Sequence, residues 1–287
     1  LYEVIGEEID DKYMKALKKL VLRPEAIKEQ ADKLKIVYTP LHGTGNIPAR
    51  RVMKEIGFTH VYVVPEQELP NGDFPTVSYP NPEAKEAFEL GLKLAKEKDA
   101  DLVLATDPDA DRLGVYVKDT KSGEYIPLTG NMSGSLLCEY VLSQKQAAGK
   151  IPADGQVVKS IVSTNLIDAV AKSYGAELIE VLTGFKWIGK QILKNETTGH
   201  GTYLFGMEES YGCLIGTYAR DKDAVSASVA LCEAAAYYKT KNMTLWDAMI
   251  AMYERYGYYQ DGITAITLKG IEGLEKIGQI MNTLRAE

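Results

Sequence analysis

Residues 101–117 read Asp-Leu-Val-Leu-Ala-Thr-Asp-Pro-Asp-Ala-Asp-Arg-Leu-Gly-Val-Tyr-Val. Two apolar runs, 101–105 and 113–117, predict two strands, and the acidic segment between them predicts a loop after a buried strand. In an α/β sheet, ligands bind at the carboxyl ends of the strands. This stretch therefore predicts an α/β fold together with the edge of the sheet at which a ligand binds.

The flanking sequence alternates strand-like runs with helix-like runs. Further strands are predicted at 35–38, 60–64, 157–162, 178–182 and 203–205. Helices are predicted at 46–56, 83–98, 131–145, 165–174, 186–194 and 222–240. Alternation of this kind indicates sheets that are covered by helices and mostly parallel. We predict the α/β class, with two consecutive α/β domains whose sheets are mixed and mostly parallel.

The predicted domains are residues 1–125, 126–258 and 259–287. The first boundary lies next to a turn-forming segment, Asp-Thr-Lys-Ser-Gly at 119–123. The last segment holds only a strand-like run, 263–268, and a helix-like run, 271–284, which together make a poor core. We expect it to be a linker and the truncated start of a further domain. Five prolines crowd residues 65–82, which predicts an extended loop without helix.

Composition and charge exclude several classes of protein. The 287 residues are 45% hydrophobic and 25% charged, which is typical of a globular chain. The net charge of −7 provides no general attraction for nucleic acid or an anionic membrane, and no apolar run approaches the ~20 residues of a membrane span. No secretory signal is visible at the start, and the three distant cysteines form no CxxC pair. We expect a cytoplasmic protein without nucleic-acid or membrane partners.

Three carboxylates alternate in the loop after the buried strand: Asp107, Asp109 and Asp111. Two unit charges ~4 Å apart repel by about 4 kcal/mol at an effective dielectric constant near 20, so such groups either hold a cation or extend into water. Mg²⁺ prefers oxygen ligands and fits best beside a phosphate substrate. An EF-hand is excluded, because Arg112 and Lys118 stand where that loop needs Gly and Glu. A metal site with Arg112 beside a phosphate and a solvated acidic turn both remain open.

Residues 184–191, Gly-Phe-Lys-Trp-Ile-Gly-Lys-Gln, imitate a nucleotide-binding P-loop up to the last position. Gln191 replaces the Ser or Thr that binds Mg²⁺, and the residues between the two glycines are too bulky for a phosphate cradle. A better interpretation is a strand-to-helix turn at Thr183 and Gly184. Such a turn presents Lys186 at a helix start, where backbone amides and an ammonium group can bind an anion. A surface lysine without function is the alternative.

Two further glycine-flanked segments follow predicted strands. Residues 205–212, Phe-Gly-Met-Glu-Glu-Ser-Tyr-Gly, offer carboxylates and a hydroxyl that suit a ligand rich in hydroxyl groups, although an ordinary polar turn is also compatible. Residues 39–45, Thr-Pro-Leu-His-Gly-Thr-Gly, lack the third glycine of the dinucleotide-binding fingerprint. His42 in that turn is either structural or catalytic.

Taken together, these blocks resemble the phosphohexomutase family, the phosphoglucomutase and phosphomannomutase enzymes. Residues 107–112 look like the family's D-x-D-x-D-R metal loop, and residues 207–212 are similar to its G-E-x-S-x-G sugar loop. Residues 183–186 look like its T-G-[FW]-K segment. The remaining matches keep the family's order along essentially the whole chain and lie at 39–43, 71–75 and 219–223.

The chain departs from the family pattern in several places. Pro108 and Ala110 replace glycines that are common in the metal loop, and Met207 replaces the first glycine of the sugar loop. The 287 residues contain neither the family's T-A-S-H-N-P motif, which carries the phosphorylated serine, nor its R-x-S-G-T-E-P phosphate clamp. The resemblance therefore implies the family's domains II and III. We expect an excised piece that is inactive alone.

The resemblance also implies a reaction and a role for each motif. In the family, a phosphoserine passes its phosphoryl group to a hexose monophosphate, and a hexose 1,6-bisphosphate intermediate turns over in the site. By this resemblance, Asp107, Asp109 and Asp111 would hold Mg²⁺. Lys186 and Arg112 would be catalytic, and substrate contacts would come from Thr183, Gly184, Glu208, Ser210, Arg220 and Lys222. The implied partners are a hexose phosphate and the N- and C-terminal domains of the same polypeptide.

Two other functions remain open at this point. A sugar-phosphate-binding module without catalysis would use the two α/β units as a cleft. A P-loop-like kinase or NTPase would place Lys190 at a nucleotide, and Gln191 argues against it.

Overall fold

The computed structural model describes residues 3–262 and 267–286. Its strands are β1 (Lys35–Thr39), β2 (His60–Val63), β3 (Leu102–Thr106), β4 (Leu113–Lys118), β5 (Tyr125–Leu128), β6 (Gly155–Ser160), β7 (Glu177–Val181), β8 (Thr202–Glu208) and β9 (Gly212–Leu214). Its helices are α1 (Gly6–Lys18), α2 (Pro24–Gln30), α3 (Asn46–Ile56), α4 (Pro65–Glu68), α5 (Glu89–Lys98), α6 (Gly130–Ala147), α7 (Leu166–Ser173), α8 (Lys186–Thr198), α9 (Ala224–Lys239), α10 (Leu245–Tyr256) and α11 (Gly270–Ala286). A 3₁₀ turn at Lys85–Phe88 leads into α5.

The described strands form two mixed sheets, which confirms the predicted fold class. The first sheet has the order β2-β1-β3-β4-β5, and the second has the order β7-β6-β8-β9. Parallel pairs join β1 to β2 and β3, and β6 to β7 and β8. The remaining pairs, β3–β4, β4–β5 and β8–β9, are antiparallel because each is a hairpin with a short connection. The first sheet is thus evenly divided between the two kinds of pairing, and the second is mostly parallel.

The parallel strands bring the predicted motifs to common edges. Because β1 and β3 are parallel neighbours, the glycine turn after β1 and the acidic loop after β3 leave the sheet at the same edge. In the second sheet, β6, β7 and β8 are parallel neighbours. The turns that follow them, which hold the segments at 183–186 and 208–211, therefore share one edge as well.

Two buried helices join the domains into one core. Both α6 and α9 contact strands of both sheets, and they also contact each other. The largest cluster of buried apolar side chains includes residues of both sheets, such as Leu104 of β3 and Phe205 of β8. Helix α9 is rich in alanine and serine, so its backbone can approach its neighbours closely. The two sheets and their loops are therefore held in a fixed relation by packing.

Most predicted elements are confirmed, with differences at their ends. Helix α3 has the predicted bounds, since Gly57 in a left-handed conformation ends it. The strand predicted at 157–162 ends at Ser160, and Ile161 and Val162 are exposed. The prediction that 65–82 holds no helix was wrong for α4, because Pro65 is its first residue, a position that needs no backbone donor. Elements α1, α2, β5, β9 and α10 were not predicted.

The predicted domain boundary after residue 125 falls within β5, which pairs with β4 in the first sheet. The strand-like run predicted at 263–268 lies largely outside the described residues, which omit 263–266. The helix predicted at 271–284 is confirmed by α11. Among the residues that the structure describes, none of the helices combines the length and the apolar character that crossing a membrane requires.

Candidate active site

The acidic loop 107–112 connects β3 to β4 and folds around the carboxylate of its first residue. Asp107 Oδ1 accepts hydrogen bonds from the backbone N–H groups of Asp111 (3.0 Å) and Arg112 (2.9 Å). Ala110 has a left-handed backbone with φ of 60°, which lets the loop reverse within a few residues. As a result, Asp107, Asp109 and Asp111 each offer one carboxylate oxygen, and these three atoms lie within 4.8 Å of one another.

The charge of this loop is incompletely balanced by its own groups. Burial raises the pKa of Asp107 to about 7, the backbone hydrogen bond from Arg112 opposes the rise, and the charges of Asp111 and Asp109 add to it. Asp111 Oδ1 is buried and has no hydrogen-bond partner among the described residues. Arg112 Nε lies 3.8 Å from Asp107 Oδ2 and 3.7 Å from Asp111 Oδ1, too far for hydrogen bonds. The loop therefore concentrates negative charge around an oxygen that lacks a partner.

This donor set fits a hard divalent cation. Mg²⁺ takes carboxylate oxygens and usually keeps several water ligands. Asp109 is exposed, so the cluster is open to solvent on one side, whereas Asp107 is buried. A cation would also satisfy the buried Asp111 Oδ1. Asp107, Asp109 and Asp111 could hold Mg²⁺, and their assignment as metal ligands stays a prediction.

The glycine turn after β1 packs directly against the acidic loop 107–112, the predicted metal loop. Thr44 donates two hydrogen bonds to the backbone oxygen of Pro108, from its N–H at 2.8 Å and from Oγ1 at 3.0 Å. A Cβ atom on Gly43 would lie 2.3 Å from Pro108 Cα, so no larger residue fits without moving the loop. The turn therefore fixes the position of Pro108 between the first two aspartates.

His42 in the same turn has a structural role. Its Nδ1 lies 3.1 Å from the backbone oxygen of Leu69, and its Nε2 lies 2.9 Å from Thr76 Oγ1. The side chain is buried, and both ring nitrogens are engaged. Of the two roles left open by the sequence, the structure supports the structural one.

In the second sheet, the turns after β7 and β8 meet through one hydrogen bond. The N–H of Gly184 donates to Glu208 Oε1 at 2.7 Å, and Gly184 has φ of 104°, which residues with a Cβ rarely adopt. Burial raises the pKa of Glu208, while this hydrogen bond and the charge of Lys222 oppose the rise. Thr183, which directly precedes Gly184, is exposed. The structure therefore brings Gly184 and Glu208 together.

The predicted sugar loop connects β8 to β9 and is tied to both domains. Glu209 Oε2 accepts a hydrogen bond from Ser160 Oγ at 2.8 Å, at the end of β6. The backbone oxygen of Tyr211 accepts a hydrogen bond at 3.0 Å from the N–H of Leu113, which directly follows the metal loop. Ser210, between these two anchors, is partly exposed. The sugar loop is thus held in place by contacts on both of its sides.

The predicted cations of the second domain differ in their partners. Lys222 Nζ lies 2.6 Å from Asp111 Oδ2. Burial alone would lower the pKa of Lys222, but its hydrogen bond and charge interaction with Asp111 raise the pKa above the ordinary value. Arg220 donates from Nη2 to both carboxylate oxygens of Glu196, at 2.7 and 2.6 Å, so this nitrogen would have to leave Glu196 to bind a phosphate. Lys186, the first residue of α8, is exposed.

A cleft of about 1370 Å³ lies between the metal loop, α8 and the segment before α9. Five predicted site residues line it: Asp109, Asp111, Lys186, Arg220 and Lys222. Six predicted site residues are not part of its lining: Asp107, Arg112, Thr183, Gly184, Glu208 and Ser210. The sugar loop nevertheless approaches the cleft, because a Cβ on Gly212 would lie 2.3 Å from Lys222 Cδ. Metal loop, helix start and Lys222 are therefore brought together, with the sugar loop beside them.

Sequence reasoning missed several residues of this region. Asp10 and Tyr13 on α1 and Arg51 on α3 line the cleft, and Asp223 caps α9 beside it. The spacing of Ile9, Tyr13 and Leu17 matches one face of a helix and could have indicated α1. An aspartate directly before a helix is likewise a recognisable start, and it could have drawn attention to Asp223.

Family models match the chain in two blocks. The alpha/beta/alpha domain II of phosphoglucomutase/phosphomannomutase matches residues 11–123, and the alpha/beta/alpha domain III matches residues 129–266. The order of the two blocks is the one expected from the motifs, and together they contain every predicted site residue.

Individual proteins resemble the chain over nearly its whole length. It is 36% identical over 285 residues to the probable phosphomannomutase of Haemophilus influenzae, and the matched region covers 99% of this chain and 54% of that protein. It is 38% identical over 257 residues to the glucose 1,6-bisphosphate synthase of Homo sapiens, and the matched region covers 88% of this chain and 41% of that protein. A solved structure of a phosphoglucomutase/phosphomannomutase family protein from Burkholderia thailandensis gives a TM-score of 0.60 at 21% identity, over 86% of this chain and 46% of that chain. The chain spans about half the length of the curated relatives it matches.

Proposed function

This chain belongs to the phosphoglucomutase/phosphomannomutase family, and on that premise we propose that it forms the metal-binding and sugar-binding part of a phosphohexomutase. The intact enzyme would interconvert hexose 1-phosphate and hexose 6-phosphate. The observation that carries this proposal is the set of three carboxylate oxygens within 4.8 Å of one another, two of whose residues face a cleft lined by lysines of the second domain. Such a site joins a cation, an anion-binding surface and room for a sugar.

The metal loop would supply the electrophilic part of the site. Asp107, Asp109 and Asp111 would hold Mg²⁺, which when bound neutralises negative charge on a phosphoryl group. Arg112 keeps its guanidinium near two of these carboxylates without a hydrogen bond to either, so its N–H groups can still turn to a phosphate. The loop would therefore orient a phosphate between the cation and Arg112.

Two lysines of the second domain would complete the phosphate site. Lys222 lies against Asp111 and carries a raised pKa, so it stays a cation at the edge of the metal loop. Lys186 is exposed at the start of α8 and lines the same cleft, where its ammonium group and the helix N-terminus both favour an anion. Lys186 would contact the substrate or hold a proton at the reacting oxygen. Arg220 is a weaker candidate because Glu196 occupies its guanidinium.

The sugar loop would recognise hydroxyl groups. Glu208 uses Oε1 to accept from Gly184, which fixes the carboxylate and leaves Oε2 for a sugar hydroxyl. Ser210 can both donate and accept a hydrogen bond. Thr183 is exposed, directly precedes Gly184 in the chain, and would add a hydroxyl to the same surface. The resulting site suits a hexose.

The phosphoserine of the reaction would come from polypeptide other than these 287 residues, in which no Ser-His-Asn sequence occurs. That serine would pass its phosphoryl group to a hexose monophosphate and receive the other phosphate of the hexose 1,6-bisphosphate afterwards. We expect the chain alone to show little or no turnover. Robust conversion of glucose 1-phosphate to glucose 6-phosphate by the 287-residue chain would contradict this part of the proposal.

The structure bears differently on the two alternative functions, a P-loop enzyme and a sugar-phosphate-binding module without catalysis. A P-loop is contradicted by the structure, because Lys190 lies inside α8, which begins at Lys186, and not at the end of a phosphate-binding loop. A module that binds sugar phosphate without catalysis uses the same cleft and remains the second candidate. It differs from the mutase in having no phosphoserine partner.

Calorimetric titration of the chain with Mg²⁺, and then with glucose 6-phosphate, tests the proposed function. We expect Asp109→Ala to weaken Mg²⁺ binding by at least about 10-fold, since it removes one of three charged ligands. Asp73→Ala, which removes another exposed loop aspartate, serves as the control and should bind like the wild type. Equal Mg²⁺ affinity of wild type and Asp109→Ala would refute the metal assignment.

A further inference from the structure

The carboxylate of Asp223 collects hydrogen bonds from three different parts of the chain. Tyr13 on α1 donates its hydroxyl proton to this carboxylate, with 3.0 Å to Oδ1 and 2.9 Å to Oδ2, and the hydroxyl of Tyr218 donates to Oδ2. The N–H groups of Val225 (2.8 Å) and Ser226 (3.1 Å) donate to Oδ1 and make Asp223 the N-cap of α9. Asp223 is 8% exposed, so these partners replace nearly all of its water.

The two chain neighbours of Asp223 both contact the metal loop. Lys222, directly before it, places Nζ 2.6 Å from Asp111 Oδ2. Ala224, directly after it, donates its backbone N–H to the backbone oxygen of Ala110 at 3.0 Å. Ala110 is the left-handed residue that lets the loop reverse. One buried carboxylate thus stands between two contacts of the second domain with the aspartate loop of the first.

We propose that Asp223 is a positioning residue for the metal site: held by Tyr13 and Tyr218, it fixes the N–H of Ala224 against the backbone of Ala110 in the metal loop. Asp223 is not among the three clustered aspartates, and it acts through this chain neighbour, whereas the charge of Lys222 competes with the cation. The inference rests on the proposed function, since it concerns the geometry of the same site. It also gives α1 a role, because Tyr13 joins this helix to Asp223.

Capping of α9 alone does not account for the arrangement. An N-cap needs a side-chain acceptor for one or two backbone amides, and Asp223 Oδ1 already meets that need by accepting from the N–H groups of Val225 and Ser226. The two tyrosine hydroxyls add nothing to the helix start. Burial beside the charge of Asp223 raises the pKa of both phenols, so both stay protonated donors. One hydroxyl comes from α1 and the other from the segment before α9. Together they fix the position of the start of α9 relative to the first domain.

The substitution Asp223→Asn separates these two roles. Asparagine is as good an N-cap as aspartate, so α9 keeps its start. The neutral amide has only one acceptor oxygen, whereas the donors to the wild-type Asp223 carboxylate share two oxygens. Residues that orient metal ligands from the second layer typically change metal affinity by about 10-fold to 100-fold when mutated. We expect Asp223→Asn to weaken Mg²⁺ binding by about 10-fold. Tyr13→Phe, which removes one donor and keeps the ring, should weaken it by a smaller factor in the same direction.

The matched control is Tyr256→Phe. It removes a tyrosine hydroxyl that donates to a buried carboxylate, Glu139, at 2.7 Å, among residues of α6, α7 and α10. A loss of stability alone would affect this variant as much as Tyr13→Phe. The proposal predicts unchanged Mg²⁺ affinity for Tyr256→Phe, measured well below its melting temperature.

A second measurement does not depend on metal. Hydrogen exchange of the metal-free chain, read on peptides that cover 107–112 and the Ala224 amide, should be about 10-fold faster in Asp223→Asn and faster in Tyr13→Phe, and unchanged in Tyr256→Phe. If Asp223→Asn fails to fold, Tyr13→Phe carries the test. Wild-type protein that binds no Mg²⁺ would refute the proposed function, while the exchange rates would still decide on Asp223. Wild-type affinity and wild-type exchange rates in Tyr13→Phe and in any folded Asp223→Asn would overturn the inference.

Discussion

Lys222 Nζ of the second domain lies 2.6 Å from Asp111 Oδ2 of the first, so the metal loop is closed on one side by a lysine. The ammonium group and a divalent cation would share the same carboxylate. Lys222 therefore influences both the charge that the loop presents to a metal and the charge that the cleft presents to a phosphate. The two effects have opposite signs, and a single substitution separates them.

Replacing this lysine should strengthen metal binding and weaken binding of sugar phosphate. Lys222→Met keeps the apolar stem and removes the charge, so Mg²⁺ no longer competes with an ammonium group 2.6 Å from Asp111 Oδ2. We expect Mg²⁺ affinity to rise several-fold and glucose 6-phosphate affinity to fall by about 10-fold, both measured by calorimetry. A fall in both affinities would show that Lys222 supports the metal loop and does not compete with the cation.

The left-handed residue of the metal loop carries backbone strain that glycine would relieve. Ala110 has φ of 60°, where a Cβ atom is unfavourable, so Ala110→Gly should raise the free energy of unfolding by up to about 1 kcal/mol. Urea unfolding measures the change. Ala169→Gly in the helix α7 is the matched control and should lower stability by about 1 kcal/mol, because glycine is unfavourable in a helix. Destabilisation by both substitutions would contradict the assigned strain.

Gly43 approaches Pro108 so closely that we expect any larger residue at position 43 to disturb the metal loop. Since a Cβ on Gly43 would lie 2.3 Å from Pro108 Cα, Gly43→Ala should displace the metal loop, cost about 2 kcal/mol of stability and weaken Mg²⁺ binding. The control is Gly72→Ala, where an added Cβ meets nothing within 4 Å. Thermal melting and Mg²⁺ titration check both variants. Equal behaviour of the two would mean that the turn does not support the loop.

A buried glutamate should make stability depend on pH. Burial raises the pKa of Glu233 from 4.5 to about 7, although its hydrogen bonds from the N–H groups of Arg23 and Leu22 oppose the rise. The folded state therefore holds this proton more tightly than the unfolded chain, and its contribution to stability is lost as pH rises from about 4.5 to about 7.

The substitution Glu233→Gln tests this sign. Glutamine keeps an acceptor for both backbone amides and cannot lose a proton. Between about pH 5 and about pH 8, the free energy of unfolding should fall more in the wild type than in Glu233→Gln, by an amount on the order of 2 kcal/mol. Denaturant unfolding at the two pH values gives the comparison. Parallel pH profiles would mean that Glu233 is ionised in the folded protein throughout this range.

Local sequence patterns predicted most of the elements and located the motifs by which the chain resembles its family. The bounds of α3 could be predicted because Gly57 ends it, and the metal loop because alternating aspartates follow an apolar strand. Short elements such as β9, with three residues, carry too little periodicity to recognise. Both ends of β9 are defined instead by its pairing with β8.

Side-chain partners across the fold could not be predicted in the same way. Arg220 pairs with Glu196 because α8 packs beside the segment before α9, and nothing near Arg220 in the sequence indicates that contact. The role of Asp223 depends in the same manner on Tyr13, which is 210 positions away in the chain. Local patterns therefore identified the groups that carry charge, while the packing of the two sheets determined which of them meet.

The proposed function depends most on the three aspartates as a cation site, and anomalous diffraction from a crystal soaked in Mn²⁺ tests this site most directly. We predict one strong peak within coordination distance of carboxylate oxygens from Asp107, Asp109 and Asp111, on the side of the cleft that Lys186 and Lys222 line. No peak at this loop, with the three side chains pointing apart into solvent, would contradict the account.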